Sequence, residues 1–217
     1  MILFDRVLKF YKIQRFRKIV LNYVSFCFEP GASYGVMGVN GAGKSTMMKL
    51  IAGAELPNSG RIRRTVRVSW PLGFTGGLHP SMTGRENAQF VARAYGENVR
   101  EIVDFVEDFA EIGPYLDAPV KTYSSGMIAR VAFGLSMAIS FDCYLIDEVL
   151  GVGDANFQAK CRWQFARRKE YSDVIMISHD TAALREYCDR GAVLCDGQVH
   201  LFDHIDDAID LYKRINM

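Results

Sequence analysis

The sequence carries almost no net charge, no long apolar run and no paired cysteine motif, and each absence removes a class of function. With 26 basic and 25 acidic side chains the formal charge is +1, so there is no general electrostatic drive toward nucleic acid or acidic membrane surfaces. The five cysteines, Cys27, Cys143, Cys161, Cys188 and Cys195, are odd in number and widely spaced, and none stands in a C-x-x-C pair. That pattern offers neither a disulfide framework nor a zinc site, and it fits reduced cytosolic thiols packed as small hydrophobes. The longest apolar stretch, 131–141, has about eleven residues against the roughly twenty that a membrane-crossing helix needs. Acidic Asp5 and basic Arg6 stand in the first residues, with no apolar segment leading to a small-residue cleavage site, so no secretory signal is expected. Internal repeats, low-complexity tracts and long linkers are also missing. These absences lead to the expectation of a protein that is soluble unless a partner holds it to a membrane. A length of 217 residues with 49% apolar content supplies one substantial core with an inserted subdomain, and not two large independent domains.

What is present is chemistry for phosphate. Gly38-Val39-Asn40-Gly41-Ala42-Gly43-Lys44-Ser45 fits the loop pattern G-x-x-x-x-G-K-[ST] without mismatch and follows an apolar strand-like run, 32–37. Glycines let successive backbone N–H groups turn inward around an anion, Lys44 reaches the β and γ phosphates of a nucleotide triphosphate, and the Ser45 hydroxyl ligates Mg²⁺. Residues 46–52 read as a helix that stops at Gly53, with its positive end toward the phosphates.

Further along, Cys143-Tyr144-Leu145-Ile146-Asp147-Glu148 is an apolar strand ending in two carboxylates. At the C-terminal edge of a strand beside a phosphate loop, the first acid faces the metal shell, which assigns Asp147 to Mg²⁺. Glu148, one residue further round, is the expected general base for a water in line with the γ phosphate. Between the two motifs, Tyr123-Ser124-Ser125-Gly126-Met127 opens a helix on small polar residues, a second anion-binding pattern. Two separated half-sites on one chain suggest two copies that complete each other. Val149-Leu150-Gly151-Val152-Gly153-Asp154 forms a glycine-bearing turn ending in an acid, and the strand 174–177 runs into Ser178-His179-Asp180, where an imidazole can meet the γ phosphate.

In order and spacing these motifs resemble the nucleotide-binding domain of ATP-binding cassette proteins, across essentially the whole chain. The resemblance places the Walker A loop at Gly38 to Ser45 with Thr46 following, the signature at Ser124, Ser125 and Gly126, Walker B at Asp147 with Glu148, the D-loop at Asp154 and the H-loop at His179. Tyr11, within Leu8-Lys9-Phe10-Tyr11-Lys12, matches the family's adenine-stacking aromatic. The implied fold is α/β: a P-loop NTPase (RecA-like) core with an N-terminal antiparallel β subdomain and an inserted α-helical subdomain. Residues 1–217 would form one such domain, with 1–70 and 141–217 as the catalytic core and 71–140 as the helical, signature-bearing part. The implied cycle is a head-to-tail homodimer holding two ATP and Mg²⁺. Each nucleotide is gripped by Tyr11, the loop Gly38, Val39, Asn40, Gly41, Ala42, Gly43, Lys44, Ser45 and Thr46, and Asp147 of one chain, and by Ser124, Ser125, Gly126 and Asp154 of the other. Glu148 and His179 act in hydrolysis, and the closing and opening drive a polytopic membrane subunit.

The chain departs from the family pattern in several places. Tyr123, Ser125 and Met127 replace the usual leucine, first glycine and glutamine of the signature, and Val149 stands where most members carry proline. Phe74 falls at the Q-loop glutamine position. Between Lys44 and Ser124 the only glutamine is Gln89, inside a helix opened by the capping box Thr83-Gly84-Arg85-Glu86, and it is expected on the surface. One side-chain ligand fewer is therefore expected on Mg²⁺. These departures, with Ser69-Trp70-Pro71-Leu72-Gly73, Gly76-Gly77, Thr83 to Asn87, Lys121 to Met127 and Val152 to Phe157, resemble the ATP-binding subunits of capsular polysaccharide exporters. Teichoic acid and O-antigen exporters share several of them, some with an added C-terminal domain, whereas this chain ends soon after His179. The expectation is an ATP hydrolase on the cytoplasmic face of the inner membrane that powers export of capsular or related polysaccharide. A lipid-linked teichoic acid or O-antigen cargo and a non-transport cassette acting on nucleic acid or the ribosome are the alternatives.

Smaller features complete the expectation. Ile102, Phe105, Val106 and Phe109 recur at helical spacing and read as subdomain core. Asp196-Gly197 between two apolar runs signals a β-hairpin, and 205–216 reads as a closing amphipathic helix. Two basic clusters, Lys12, Arg15, Arg17 and Lys18, and Arg61, Arg63, Arg64 and Arg67, read as solvated strand faces, with contact to a membrane partner or anionic headgroups as the alternative. Neither has the interleaved aromatics of a single-strand nucleic-acid platform.

Overall fold

The computed structural model describes residues 1–216 except Arg15, Gly73, Phe74 and 148–153, with Ile13 and Thr75 described in backbone only. In chain order the strands and helices are β1 (Ile2–Ile13), β2 (Phe16–Phe28), β3 (Tyr34–Met37), α1 (Lys44–Ala52), β4 (Ser59–Arg64), β5 (Val68–Pro71), α2 (Gly84–Tyr95), α3 (Val99–Ala110), α4 (Ser125–Ala138), β6 (Cys143–Asp147), α5 (Ala155–Lys169), β7 (Asp173–Ile177), α6 (Thr181–Tyr187), β8 (Arg190–Cys195), β9 (Gln198–Phe202) and α7 (Ile205–Ile215). They divide into two compact units, one comprising Met1–Pro71, Phe141–Glu148 and Ser172–Met217, the other Leu72–Ser140 and Val149–Tyr171.

The first unit holds two sheets. A six-stranded sheet runs in the order β5-β6-β7-β3-β8-β9, and a three-stranded one in the order β2-β1-β4. The inner strands β3, β6 and β7 are apolar and buried along nearly their whole length, as strands covered on both faces must be. They pair in parallel, as β3 does with β8, while β9 turns back antiparallel through Asp196 and Gly197, both at positive φ. That is the conformation a two-residue hairpin turn demands. In the small sheet β1 pairs antiparallel with β2 and β4, so the N-terminal hairpin is much longer than its short aromatic motif announces. Phe4 stacks on Phe26 at 4.4 Å, and together with Phe28, Tyr34, Met47, Leu50, Leu145 and Ile177 these side chains belong to one core.

Helix α1 leaves the phosphate loop and ends at Gly53 in the left-handed conformation. Its last carbonyls are met by a residue expected to be solvated: Arg64 Nε donates to Ile51 O at 2.6 Å, and Nη2 donates to Leu50 O. A guanidinium at a helix C-terminus satisfies orphan acceptors and complements the dipole.

The second unit is helical. Thr83 caps α2 through the Glu86 N–H, while the Glu86 carboxylate accepts from the Thr83 N–H at 2.8 Å, closing the capping box. Gln89 of α2 is half-buried rather than fully on the surface. On α3, Ile102, Val106 and Phe109 are buried, and Phe109 packs against Phe133 of α4 at 5.9 Å and Phe157 of α5 at 5.4 Å. Arg85 ties α2 to Glu107 of α3 and to Asp117 at 2.9 and 2.6 Å. No helix among the described residues is long and apolar enough to cross a membrane.

Candidate nucleotide-binding site

The phosphate loop spans the C-terminal end of β3 and the N-terminus of α1. Gly43 sits at φ 110, and a Cβ there would lie 2.0 Å from Val20 Cγ1, so the octapeptide accepts only glycine at that point. Helix α1 begins without a side-chain cap, leaving its first N–H groups to the loop mouth. Lys44 is buried, and its Nζ donates to Gly38 O at 2.7 Å and Val39 O at 3.3 Å. The ammonium is thus drawn across the loop by the loop's own carbonyls.

The sheet brings the other groups to the same mouth. Val36 of β3 and Asp147 of β6 are both register partners of Ile177 on β7, and His179 follows two residues later. Loop, carboxylate and imidazole therefore share the C-terminal edge of one parallel sheet, where ligands of such sheets bind. A cavity of about 350 Å³ is lined by Asn40, Gly41, Gly43, Lys44, Ser45, Thr46, Asp147, Ile177 and His179, and by Tyr11, Lys18 and Val20 of the β1–β2 hairpin. Tyr11 and Lys18 are direct cross-strand partners, which puts their side chains on one face. The Tyr11 hydroxyl lies 3.3 Å from Thr46 Oγ1 and donates to the Glu55 carboxylate at 2.8 Å.

The exposed Ser45 hydroxyl and the half-buried Asp147 carboxylate, both on this cavity, form a set of hard oxygens. Two protein oxygens, with the rest of the shell open to phosphate and water, suit Mg²⁺. Among the described residues no group of three or more His, Cys, Asp or Glu forms a metal cluster of its own. Glu148 and Phe74 lie outside the described residues, as does Val149.

The signature residues and Asp154 meet in the second unit. Ser124 caps α4 by accepting from the Met127 N–H at 3.2 Å, and Asp154 caps α5 by accepting from the Phe157 N–H at 3.0 Å. Ser124, Gly126, Met127, Arg130 and Asp154 line one cavity of about 420 Å³. Arg130 donates to Asp154 Oδ2 at 2.8 Å with its guanidinium 4.3 Å over the Phe157 ring. The bond from Phe157 N–H, with Arg130 adding to it, holds the Asp154 carboxyl below the usual range. Ser125 opens α4 beside them. Tyr123, where the family carries leucine, is buried with its hydroxyl satisfied: it donates to Tyr115 O at 2.7 Å and accepts from the Gly84 N–H at 3.1 Å.

Three contributors escaped the sequence. Tyr212 of α7 holds His179, its hydroxyl 2.8 Å from Nδ1. Glu55 holds Tyr11 and Arg130 holds Asp154. No local pattern marks these partners, because each pair joins separate elements.

A family model described as ABC transporter matches residues 21–151. The chain is 43% identical to the capsule polysaccharide export ATP-binding protein CtrD of Neisseria meningitidis serogroup B, covering 99% of this chain and 100% of that protein. It is 46% identical to the polysialic acid transport ATP-binding protein KpsT of Escherichia coli, covering 99% of each. Among solved structures, the dimeric post-hydrolysis state of the ATP-binding cassette MJ0796 bound to ADP and phosphate superposes with a TM-score of 0.75 at 20% identity, over 94% of this chain and 98% of that one. That likeness shows the cassette ATPase fold.

Proposed function

Because the chain belongs to the ABC transporter family, we propose that it is the ATP-hydrolysing subunit of an exporter that moves capsular or related cell-surface polysaccharide across the inner membrane. The observation that carries the reading is the single cavity on which phosphate loop, Tyr11, Asp147 and His179 converge. Kinship over nearly the full length with capsule-export ATP-binding proteins supports the cargo.

In this reading the adenine stacks on Tyr11 and the triphosphate lies in the nest of N–H groups from Gly38 to Thr46. Lys44 exchanges its loop carbonyls for phosphate oxygens. Ser45 and Asp147 would hold Mg²⁺, which would supply neutralisation of charge at the transferred phosphoryl group. Glu148 takes the proton of the attacking water, and the His179 imidazole steadies the γ phosphate. Ser124, Ser125, Gly126 and Asp154 serve the nucleotide of a second copy in a head-to-tail, two-fold homodimer, so both sites form together. ATP favours the closed dimer and hydrolysis releases it. The pair works peripherally, on the cytoplasmic face, through a polytopic membrane subunit.

The test uses Glu148→Gln. It is expected to lower turnover roughly a hundred- to ten-thousand-fold and spare ATP binding. Trapped with Mg-ATP and drawn from detergent-solubilised membranes, it should bring a polytopic membrane protein and envelope polysaccharide factors. Equal loss of binding defeats the assigned role, and ribosomal or nucleic-acid companions without a membrane protein defeat the transport reading.

A further inference from the structure

The Tyr11 side chain is tethered at its far end. Beyond α1 the chain turns at Gly53, and the Glu55 N–H donates to Lys49 O at 3.2 Å, returning Glu55 toward β1. Its carboxylate accepts from the Tyr11 hydroxyl, both oxygens at 2.8 Å, and pairs with Lys9 Nζ at 2.8 Å. Lys9 is only 6% exposed, donates also to Leu56 O at 2.8 Å, and stands 5.1 Å over the Tyr11 ring. A buried ammonium requires a counter-charge, so Lys9 fixes Glu55 in place and offsets the negative charge it brings near an anion-binding loop.

A carboxylate only accepts. The single phenol proton of Tyr11 therefore goes to Glu55, and the Thr46 hydroxyl, 3.3 Å away, donates to the phenol oxygen. The far end of the ring is thus held between Glu55 and the first turn of the phosphate-loop helix. Aromatic stacking gains from a ring that needs no ordering when the ligand arrives.

We propose that Glu55 is a positioning residue for nucleotide-base recognition, acting through the Tyr11 hydroxyl to set the ring on which the base stacks. The proposal rests on Tyr11 being the adenine platform. It separates base binding from phosphate binding, which a general role in folding does not.

The experiment titrates the full chain with Mg-ATP and with Mg-tripolyphosphate, which has no base. Tyr11→Phe keeps the ring and the Lys9–Glu55 pair and removes the tether to Glu55 together with the hydroxyl's contact to Thr46. Tyr11→Phe should raise the ATP Kd about three- to tenfold, the range for one lost hydrogen bond; Glu55→Gln, whose amide oxygen still accepts from the phenol, should raise it less, and both should leave tripolyphosphate within about twofold. The double variant should be no weaker than Tyr11→Phe alone. If Tyr11→Phe binds ATP normally while Tyr11→Ala does not, Glu55 has no positioning role and the platform stands. If Tyr11→Ala also binds normally, the platform itself is wrong. Equal loss of both ligands in Tyr11→Phe makes the tether purely structural and overturns the proposal.

Discussion

His179 Nδ1 lies 2.8 Å from the hydroxyl of Tyr212, a buried residue of the closing helix α7. The bond holds the imidazole at the cavity wall and, because the hydrogen bond on one ring nitrogen sets the role of the other, constrains what Nε2 can do. Tyr212→Phe should lower the ATPase kcat about three- to tenfold, the range for one lost hydrogen bond, with KM within about twofold. In a His179→Ala background the same change should do nothing further. Steady-state kinetics on the four proteins decides, and an undiminished effect in that background assigns Tyr212 to packing alone.

Arg130 ties the signature helix to Asp154 and lies across Phe157. Arg130→Met keeps the apolar stem and removes both the charge and the fork. ATP affinity of the isolated chain should stay within about twofold while turnover falls about tenfold, since in the proposed homodimer Asp154 serves the partner's nucleotide and its misplacement costs rate rather than binding. Arg130→Lys should recover little, because an ammonium cannot reproduce the planar stack. Comparable rates for the lysine variant and the parent would refute that account.

Gly84 and Tyr123 constrain each other. A methyl group on residue 84 would sit 2.7 Å from the Tyr123 hydroxyl and 2.8 Å from Leu116 Cδ1. Gly84→Ala is expected to cost about 1–3 kcal/mol by overpacking, read as a lower urea midpoint. Adding Tyr123→Phe removes the nearest atom and should restore part of that loss. A pair of changes that simply add would show that the hydroxyl is not the obstacle.

Burial pushes the thiols of Cys143 and Cys161 up to about 12. The shift disfavours the thiolate, so at pH 8, about four units below, only about one molecule in ten thousand has either sulfur ionised. Iodoacetamide at pH 8 should label half-buried Cys27 and Cys195 first and leave buried Cys143, Cys161 and Cys188 unmodified until the chain is denatured. Mass spectrometry of the native protein checks the order, and early labelling of Cys143 or Cys161 contradicts it.

The elements read most directly from sequence are those written in neighbouring residues. The glycines around Lys44, the capping box at Thr83 and Glu86, and Asp196-Gly197 between two apolar runs specify backbone geometry locally, and the structure has a loop, a capped helix and a hairpin there. The cassette resemblance supplied the order of motifs. What stayed hidden was set by distance: Tyr212 is 33 residues from His179, and Glu55 is 44 from Tyr11. Arg64 shows the same limit, since its place in a basic strand suggested solvent while the end of α1 supplied acceptors. Tyr123 replaces the usual leucine of the signature, and the packing of Gly84 and Tyr115 explains how its hydroxyl is accommodated.

Helix α1 is gripped by the antiparallel sheet at two places, at Thr46 by Tyr11 of β1 and at Leu50 and Ile51 by Arg64 of β4. A rod clamped near both ends by one plate cannot tilt unless the plate moves with it. Thermal motion that would splay the loop mouth is therefore spread over three strands, and an arriving nucleotide meets a cradle assembled in advance, with less order left to impose.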